Sequence, residues 1–193
     1  MKIAVLGGTF DPPHFGHLLV ARQIMENFSD IDRAWLLPAN TNPDKKIYAP
    51  TSHRLKMAQF LKEERIDVCD LDIKRGGETL TIDSIRQLIK IRDHKFTWII
   101  GSDLLSTIKF WEGYGEFIKL VPFIVFPRPE YPIKSVPVGF KVLKESHLLT
   151  ANYSSTVIRA RVRQGLSIEG LTPHEVTNYI NKHHLYKTKS VYV

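Results

Sequence analysis

A chain of 193 residues, 43% hydrophobic and 24% charged, can bury a large core and is not a disordered polymer. The length fits one domain spanning 1–193, and a single cysteine excludes intramolecular disulfides and cysteine-cluster metal sites. The formal net charge of +7 suits an acidic partner, either nucleic acid or a small phosphorylated substrate.

In chain order, Lys2–Leu6 is an apolar run that reads as the first strand. It stops at Gly7-Gly8, too soon for a signal-peptide core or a membrane span, so no membrane partner is expected and a cytoplasmic location fits. Pro13–Phe28 has the helical period, with Leu18, Leu19, Ala21, Ile24, Met25 and Phe28 on its apolar face. Arg33–Leu37 reads as a strand, and Pro38–Pro50 as a loop carrying Lys45-Lys46. The basic residues are otherwise scattered, so no nucleic-acid partner is expected. Thr51–Glu63 reads as a helix capped by Thr51 or Ser52. Ile66–Cys69 is a short strand, in which Cys69 reads as a small core residue rather than a nucleophile.

Leu80–Arg92 follows as a helix, with Ile82, Ile85, Leu88 and Ile89 on one side. Phe96–Ile100 is almost wholly apolar, as a strand buried on both faces requires. Asp103–Phe110 and Gly113–Leu120 read as short helices, Val121–Phe126 as a strand and Phe140–Leu143 as one more. A proline-spaced connection leads to a helical tail of about 154–186, comprising Ser154–Gln164 and Pro173–His183; Lys187–Val193 should fray. Strand–helix alternation predicts an α/β, Rossmann-like, doubly wound parallel sheet with a C-terminal helical extension. Ligands in such folds sit beyond the carboxyl ends of the strands, where Gly7-Gly8 and Gly101-Ser102-Asp103 would share one crevice.

The richest segment is Gly7-Gly8-Thr9-Phe10-Asp11-Pro12-Pro13-His14-Phe15-Gly16-His17. Strand, glycine turn and helix N-terminus together form a phosphate site. Gly7 and Gly8 let a ligand approach the backbone. Asp11 is the expected N-cap, with Pro12 and Pro13 where no helical N–H is lost. His14 and His17 are three apart and share a face near the positive helix end, where imidazole N–H groups can stabilise a triphosphate. Gly16 would leave room for phosphate. The histidine pair lacks a third ligand in sequence, so no metal site is expected. Far downstream, Ser154 or Ser155 would cap a helix whose free N–H groups face phosphate, with Arg159 one turn on as a clamp.

These two segments resemble the paired hallmarks of the HxGH-type nucleotidyltransferases. Within that superfamily the chain is similar, nearly end to end, to the bacterial nicotinate-nucleotide adenylyltransferases. Matching stretches include Leu37 to Lys45, Thr79 to Arg86, Ile99-Ile100-Gly101-Ser102-Asp103, Trp111, Phe126-Pro127-Arg128-Pro129 and the tail through Tyr179-Ile180 to Leu185-Tyr186. The resemblance implies transfer of AMP from ATP to nicotinate mononucleotide, with Mg²⁺ accompanying ATP. It implies that His14, His17 and Arg159 act in catalysis at the phosphates. It places ATP on Gly7, Gly8, Thr9, Phe10, Gly101, Asp103, Ser155 and Thr156, with Gly8, Thr9 and Phe10 at the junction with the acceptor. The acceptor would meet Lys45, Thr81 and Trp111. The chain departs from the family's usual pattern at Asp44, Leu80 and Glu112, all near the acceptor, so nicotinamide mononucleotide or another phosphorylated acceptor stays open; the alternative of a different class is a non-catalytic nucleotide-binding protein. Homo-oligomerisation is also left open.

Overall fold

The computed structural model describes residues 1–144 and 147–187. Strands β1 (Lys2–Gly8), β2 (Arg33–Pro38), β3 (Ile66–Val68), β4 (Lys95–Gly101), β5 (Phe123–Phe126) and β6 (Phe140–Val142) form one parallel sheet. Its order is β3-β2-β1-β4-β5-β6, the doubly wound α/β arrangement that the alternation of strands and helices predicts. Side chains alternate across each strand, so two cores form, one on each face. Ala4, Ile99, Ile124 and Phe126 point to one, which is covered by α1 (Phe15–Asn27), α2 (Thr51–Gln59), α6 (Ser155–Arg163) and α7 (His174–Lys182). Ile3, Val5, Trp98, Ile100 and Val125 point to the other, covered by α4 (Thr81–Leu88) and α5 (Tyr114–Leu120).

Several elements differ from the sequence expectation. β1 runs on through Gly7 and Gly8, which pair with Leu37 and Pro38. A Cβ at Gly7 would lie 2.9 Å from the Trp98 ring, so only glycine lets β4 pack this closely. Helix α1 starts at Phe15 rather than Pro13. Helix α2 has Pro50 at its N-cap position, because the Thr51 hydroxyl is turned away to the Asn40 carbonyl (3.3 Å); neither Thr51 nor Ser52 caps it. Helix α3 (Leu71–Arg75) was not foreseen; five residues are too short to display a period. Helix α4 stops at Leu88, its last buried residue, short of the expected Arg92. Asp103–Phe110 becomes two 3₁₀ turns, Ser102–Leu104 and Ile108–Phe110. The two tail helices fall within one residue of the expected bounds. The expectation of fraying at Lys187–Val193 lies, from residue 188 on, outside the described residues. Among the described residues no helix is long and apolar enough to cross a membrane.

The order of the strands creates the site. Connections leave β1 and β4 in opposite directions, and their carboxyl ends open a crevice at that reversal. The loop between β2 and α2 flanks it, pinned by the fully buried Arg54. The Arg54 guanidinium donates to the carbonyls of Thr9 (2.7 Å), Ala39 (2.6 Å), Asn40 and Ala49 (3.2 Å) and to the Thr51 hydroxyl (3.0 Å). One side chain thus ties the ends of β1 and β2 to both ends of the loop.

Gly113 leads into α5 with φ +72°, and a Cβ there would stand 2.7 Å from Ile82 Cβ on α4. Gly113→Ala should therefore destabilise the fold by about 2–3 kcal/mol, read from urea unfolding, since strain and overpacking add. An unchanged midpoint would mean that α4 gives way freely.

Candidate active site

The turn after β1 is organised by Asp11, whose side chain is 1% exposed. Asp11 was expected to cap α1, and it does not. Its carboxylate instead accepts the N–H groups of Tyr48 (2.7 Å) and Ala49 (3.1 Å) and the hydroxyl of Tyr186 (2.7 Å). The N-cap position falls to His14, whose own N–H donates to Nδ1 of His17 (3.1 Å). That bond makes Nδ1 an acceptor, so the proton of neutral His17 sits on Nε2. The rings of His14 and His17 stack at 3.8 Å between centroids, with Phe10 beside His17 at 4.6 Å. Phe10 is buried, with φ +50°, and so supports His17 from below. Gly16 was expected to leave space for phosphate. The space is in fact filled, since a Cβ there would meet Tyr153 Cβ at 2.7 Å and His14 Nδ1 at 2.9 Å.

Both imidazoles are neutral at pH 7. Burial first, then the neighbouring Arg128, pushes His17 down to about 4. Burial, then His17 and Arg128, hold His14 well below the ordinary histidine range. Tyr186 moves the other way. Burial and the Asp11 carboxylate keep its hydroxyl protonated far above the usual phenol range, as a donor to Asp11. Burial also raises the half-buried Cys69 thiol, consistent with a packing residue.

The second segment docks on the first. The Ser155 hydroxyl donates to the Pro12 carbonyl (2.8 Å), and Arg159 donates to the Asp11 carbonyl (2.6 Å) and the Thr156 hydroxyl (3.1 Å). Ser154 stands at the N-cap position of α6, as expected, but makes no side-chain cap bond, and the Ser155 hydroxyl is used for docking; the first turn of the helix is left without a side-chain cap. The guanidinium of Arg159 also lies over the Tyr48 ring, 4.3 Å from its centroid. On the opposite side, Asp103 pairs with Arg128 (3.2 Å). Gly101 makes room for that carboxylate, since a Cβ there would fall 2.2 Å from Asp103 Oδ1.

A cavity of about 580 Å³ lies between these groups and is bordered by Gly7, Gly8, Thr9, Phe10, His14, His17, Lys45, Gly101, Asp103, Ser155, Thr156 and Arg159. A second, of about 680 Å³, is bordered by Thr81, Trp111, Asp44, Leu80 and Glu112. The two share Gly7, Gly8, Thr9, Lys45, Ile99 and Leu104, so they meet at the end of β1. Every residue that the resemblance assigns to catalysis, ATP or the acceptor borders one or both. Phe10 borders only the first. Trp111 both packs against the second core and borders the second cavity.

Four buried side-chain atoms lack a protein partner among the described residues, and three of them belong to residues of the first cavity: His14 Nδ1, Asp103 Oδ1 and Arg159 Nε. Unpaired buried polar atoms are costly, and their concentration in one cavity marks it as built for a polar ligand. Among the described residues no group of three or more His, Cys, Asp or Glu could hold a metal ion. Sequence reading missed Arg54, Tyr48, Arg128 and the role of Tyr186. Each acts through a contact far along the chain, which no local pattern signals.

The depressed histidine gives a pH test. Unfolded His17 titrates near 6.5 and folded His17 near 4. The unfolded chain therefore binds more protons between those values, and stability falls as pH drops through that window. Unfolding free energy should fall by about 2 kcal/mol between pH 7.5 and pH 5 on account of His17, and His17→Gln should flatten that slope. An equal slope in both proteins would show that His17 is solvated.

A family model described as cytidylyltransferase-like matches residues 5–161. A probable nicotinate-nucleotide adenylyltransferase of Opitutus terrae is 40% identical, over 97% of this chain and 98% of its own. One of Halalkalibacterium halodurans is 37% identical, over 97% of this chain and 92% of its own. The fold is also that of the Plasmodium falciparum nicotinic acid mononucleotide adenylyltransferase complexed with NaAD, with a TM-score of 0.80, 23% identity and coverage of 96% and 97% of the two chains. With the family model and these relatives matched over most of its length, the chain belongs to the cytidylyltransferase-like family and, among its members, to the nicotinate-nucleotide adenylyltransferases.

Proposed function

We propose that the protein transfers AMP from ATP to nicotinate mononucleotide, forming deamido-NAD and pyrophosphate. The observation that carries this is the set of three unpaired buried atoms, on His14, Asp103 and Arg159, in a cavity that opens onto a second at the end of β1. ATP occupies the first cavity and the acceptor the second. Their reacting atoms meet beside Gly8 and Thr9.

The acceptor's 5′-phosphate oxygen attacks the α-phosphorus in line. A new P–O bond forms as the bond to the β-phosphate oxygen breaks, and the electron pair leaves with pyrophosphate. The acceptor is already anionic, so no covalent enzyme intermediate and no general base are needed. Catalysis is positioning and charge stabilisation. Neutral His14 and His17 serve as N–H donors to the phosphates, which avoids an unpaired buried cation. Arg159 and the uncapped first turn of α6, with Ser155 and Thr156, receive the remaining phosphates. Gly101 and Asp103 hold the adenosine ribose, for which the unpaired Asp103 Oδ1 is a ready acceptor. Lys45, on the border of both cavities, reaches the substrate phosphates. Trp111 stacks on the pyridine ring, and the backbone of Thr81 at the start of α4 receives the ring carboxylate. Mg²⁺ would enter with ATP, held by its phosphate oxygens and water, and would supply neutralisation of phosphate charge. A cytoplasmic enzyme, in which both nucleotides are at hand, fits this reading.

Incubation with ATP, Mg²⁺ and nicotinate mononucleotide should release pyrophosphate and yield deamido-NAD. Product with nicotinamide mononucleotide alone would reassign the acceptor, and product with neither would leave a nucleotide binder. His14→Ala and His17→Ala should each lower kcat by roughly 10²–10³; near-normal turnover in both would remove them from the transition state. Trp111→Ala should raise the acceptor KM far more than that of ATP, whereas small equal changes would make Trp111 a core residue only.

A further inference from the structure

Beside the second cavity lies a charge pair, with a buried carboxylate, that the reaction as described does not use. Asp72, on α3, borders this cavity, and its side chain is only 2% exposed. The carboxylate accepts from Arg75 (2.8 Å), whose side chain is 17% exposed, and from the Ser84 hydroxyl on α4 (2.7 and 2.8 Å). Asp44, Glu78 and Glu112 also border the cavity but are exposed, so water and salt screen them. Asp72 is the buried carboxylate there, and its field reaches a bound ligand with far less screening. Burial pushes the Asp72 carboxyl up, while Ser84 and Arg75 pull it back.

The location gives this charge a consequence. Ser84 is three residues beyond Thr81, so Asp72 is tied to the helix turn that, in the proposed function, receives the ring carboxylate of the acceptor. Acid and amide forms of the acceptor differ by one negative charge at that position. A buried carboxylate on the border of the same cavity disfavours the acid, and the guanidinium beside it offsets that repulsion. We propose that the Asp72–Arg75 pair is a specificity determinant, setting the balance between acidic and neutral pyridine acceptors by the net charge it places against the second cavity. This rests on the functional reading above. Arg75 itself does not border the cavity; it acts through Asp72 and is a positioning and neutralising residue.

The readout is the ratio of kcat/KM for nicotinate mononucleotide to that for nicotinamide mononucleotide, measured on the same preparation, so that loss of folded protein cancels. Asp72→Asn removes the negative charge and keeps an acceptor for Ser84; it should raise the ratio by about fivefold or more. Arg75→Gln leaves the carboxylate uncompensated and should lower the ratio by a similar factor. The double variant restores neutrality and should return the ratio close to that of the wild type. A merely structural role predicts losses for both acceptors with no opposed shift, so variants whose ratios move in the same direction, or not at all, would overturn the proposal. If the wild-type protein uses neither acceptor, the functional reading fails and this proposal with it. Wild-type turnover with unmoved ratios defeats the proposal alone.

Discussion

The site depends on one buried carboxylate. Asp11 lies in the turn between β1 and α1, and its two oxygens are occupied by the end of the β2–α2 loop and by Tyr186 in the tail. Its carbonyl holds Arg159 of α6. Segments from four regions of the chain thus converge on one residue. A buried charge is tolerable only when it is fully bonded and faced by opposite charge. Arg54 supplies that charge and binds the same loop from the other side; burial pulls its guanidinium down from the usual arginine range, and Asp11 opposes that shift. Together they hold the histidine turn, the lysine loop and the arginine helix in register.

The reversal of strand order supplies the second constraint. Because β1 and β4 are neighbours whose connections diverge, their carboxyl ends are left uncovered. Gly7 lets Trp98 approach, and Gly101 lets Asp103 fold back, so the backbone itself forms the cavity wall. The two cavities then meet over Gly8 and Thr9. A transfer between two anionic nucleotides needs such a shared edge more than it needs a reactive side chain, because the nucleophile comes with the substrate. The histidines fit the same logic. They are neutral, which avoids an unpaired buried cation, yet they present N–H groups where phosphate charge would arrive.

Much of this was legible in the sequence because it is written in short-range patterns. Alternating apolar runs fix a parallel sheet, and Gly7 to His17 reads as a strand, turn and helix start whatever surrounds it. The Ser154–Arg159 helix and the Gly101–Asp103 strand end were equally readable. The errors were local assignments overruled by distant partners. Asp11 has the composition of a cap, but three donors from residues 48, 49 and 186 claim its carboxylate. Ser155 has the same composition, but its hydroxyl is drawn to Pro12. Gly16 suggests open space, and Tyr153 with the His14 ring fills it.

The sequence by itself determined the fold class, the two segments that meet at the first cavity and the residue types there, since periodicity and turn chemistry act over a few residues. Tertiary structure alone decided which hydrogen bonds those residues make, that Arg54 and Tyr186 lock the loop and tail to Asp11, and that Asp72 lies against the second cavity. The physical reason is that a buried polar group takes whichever partner the packed chain presents. That partner can lie 175 positions away, as Tyr186 does from Asp11.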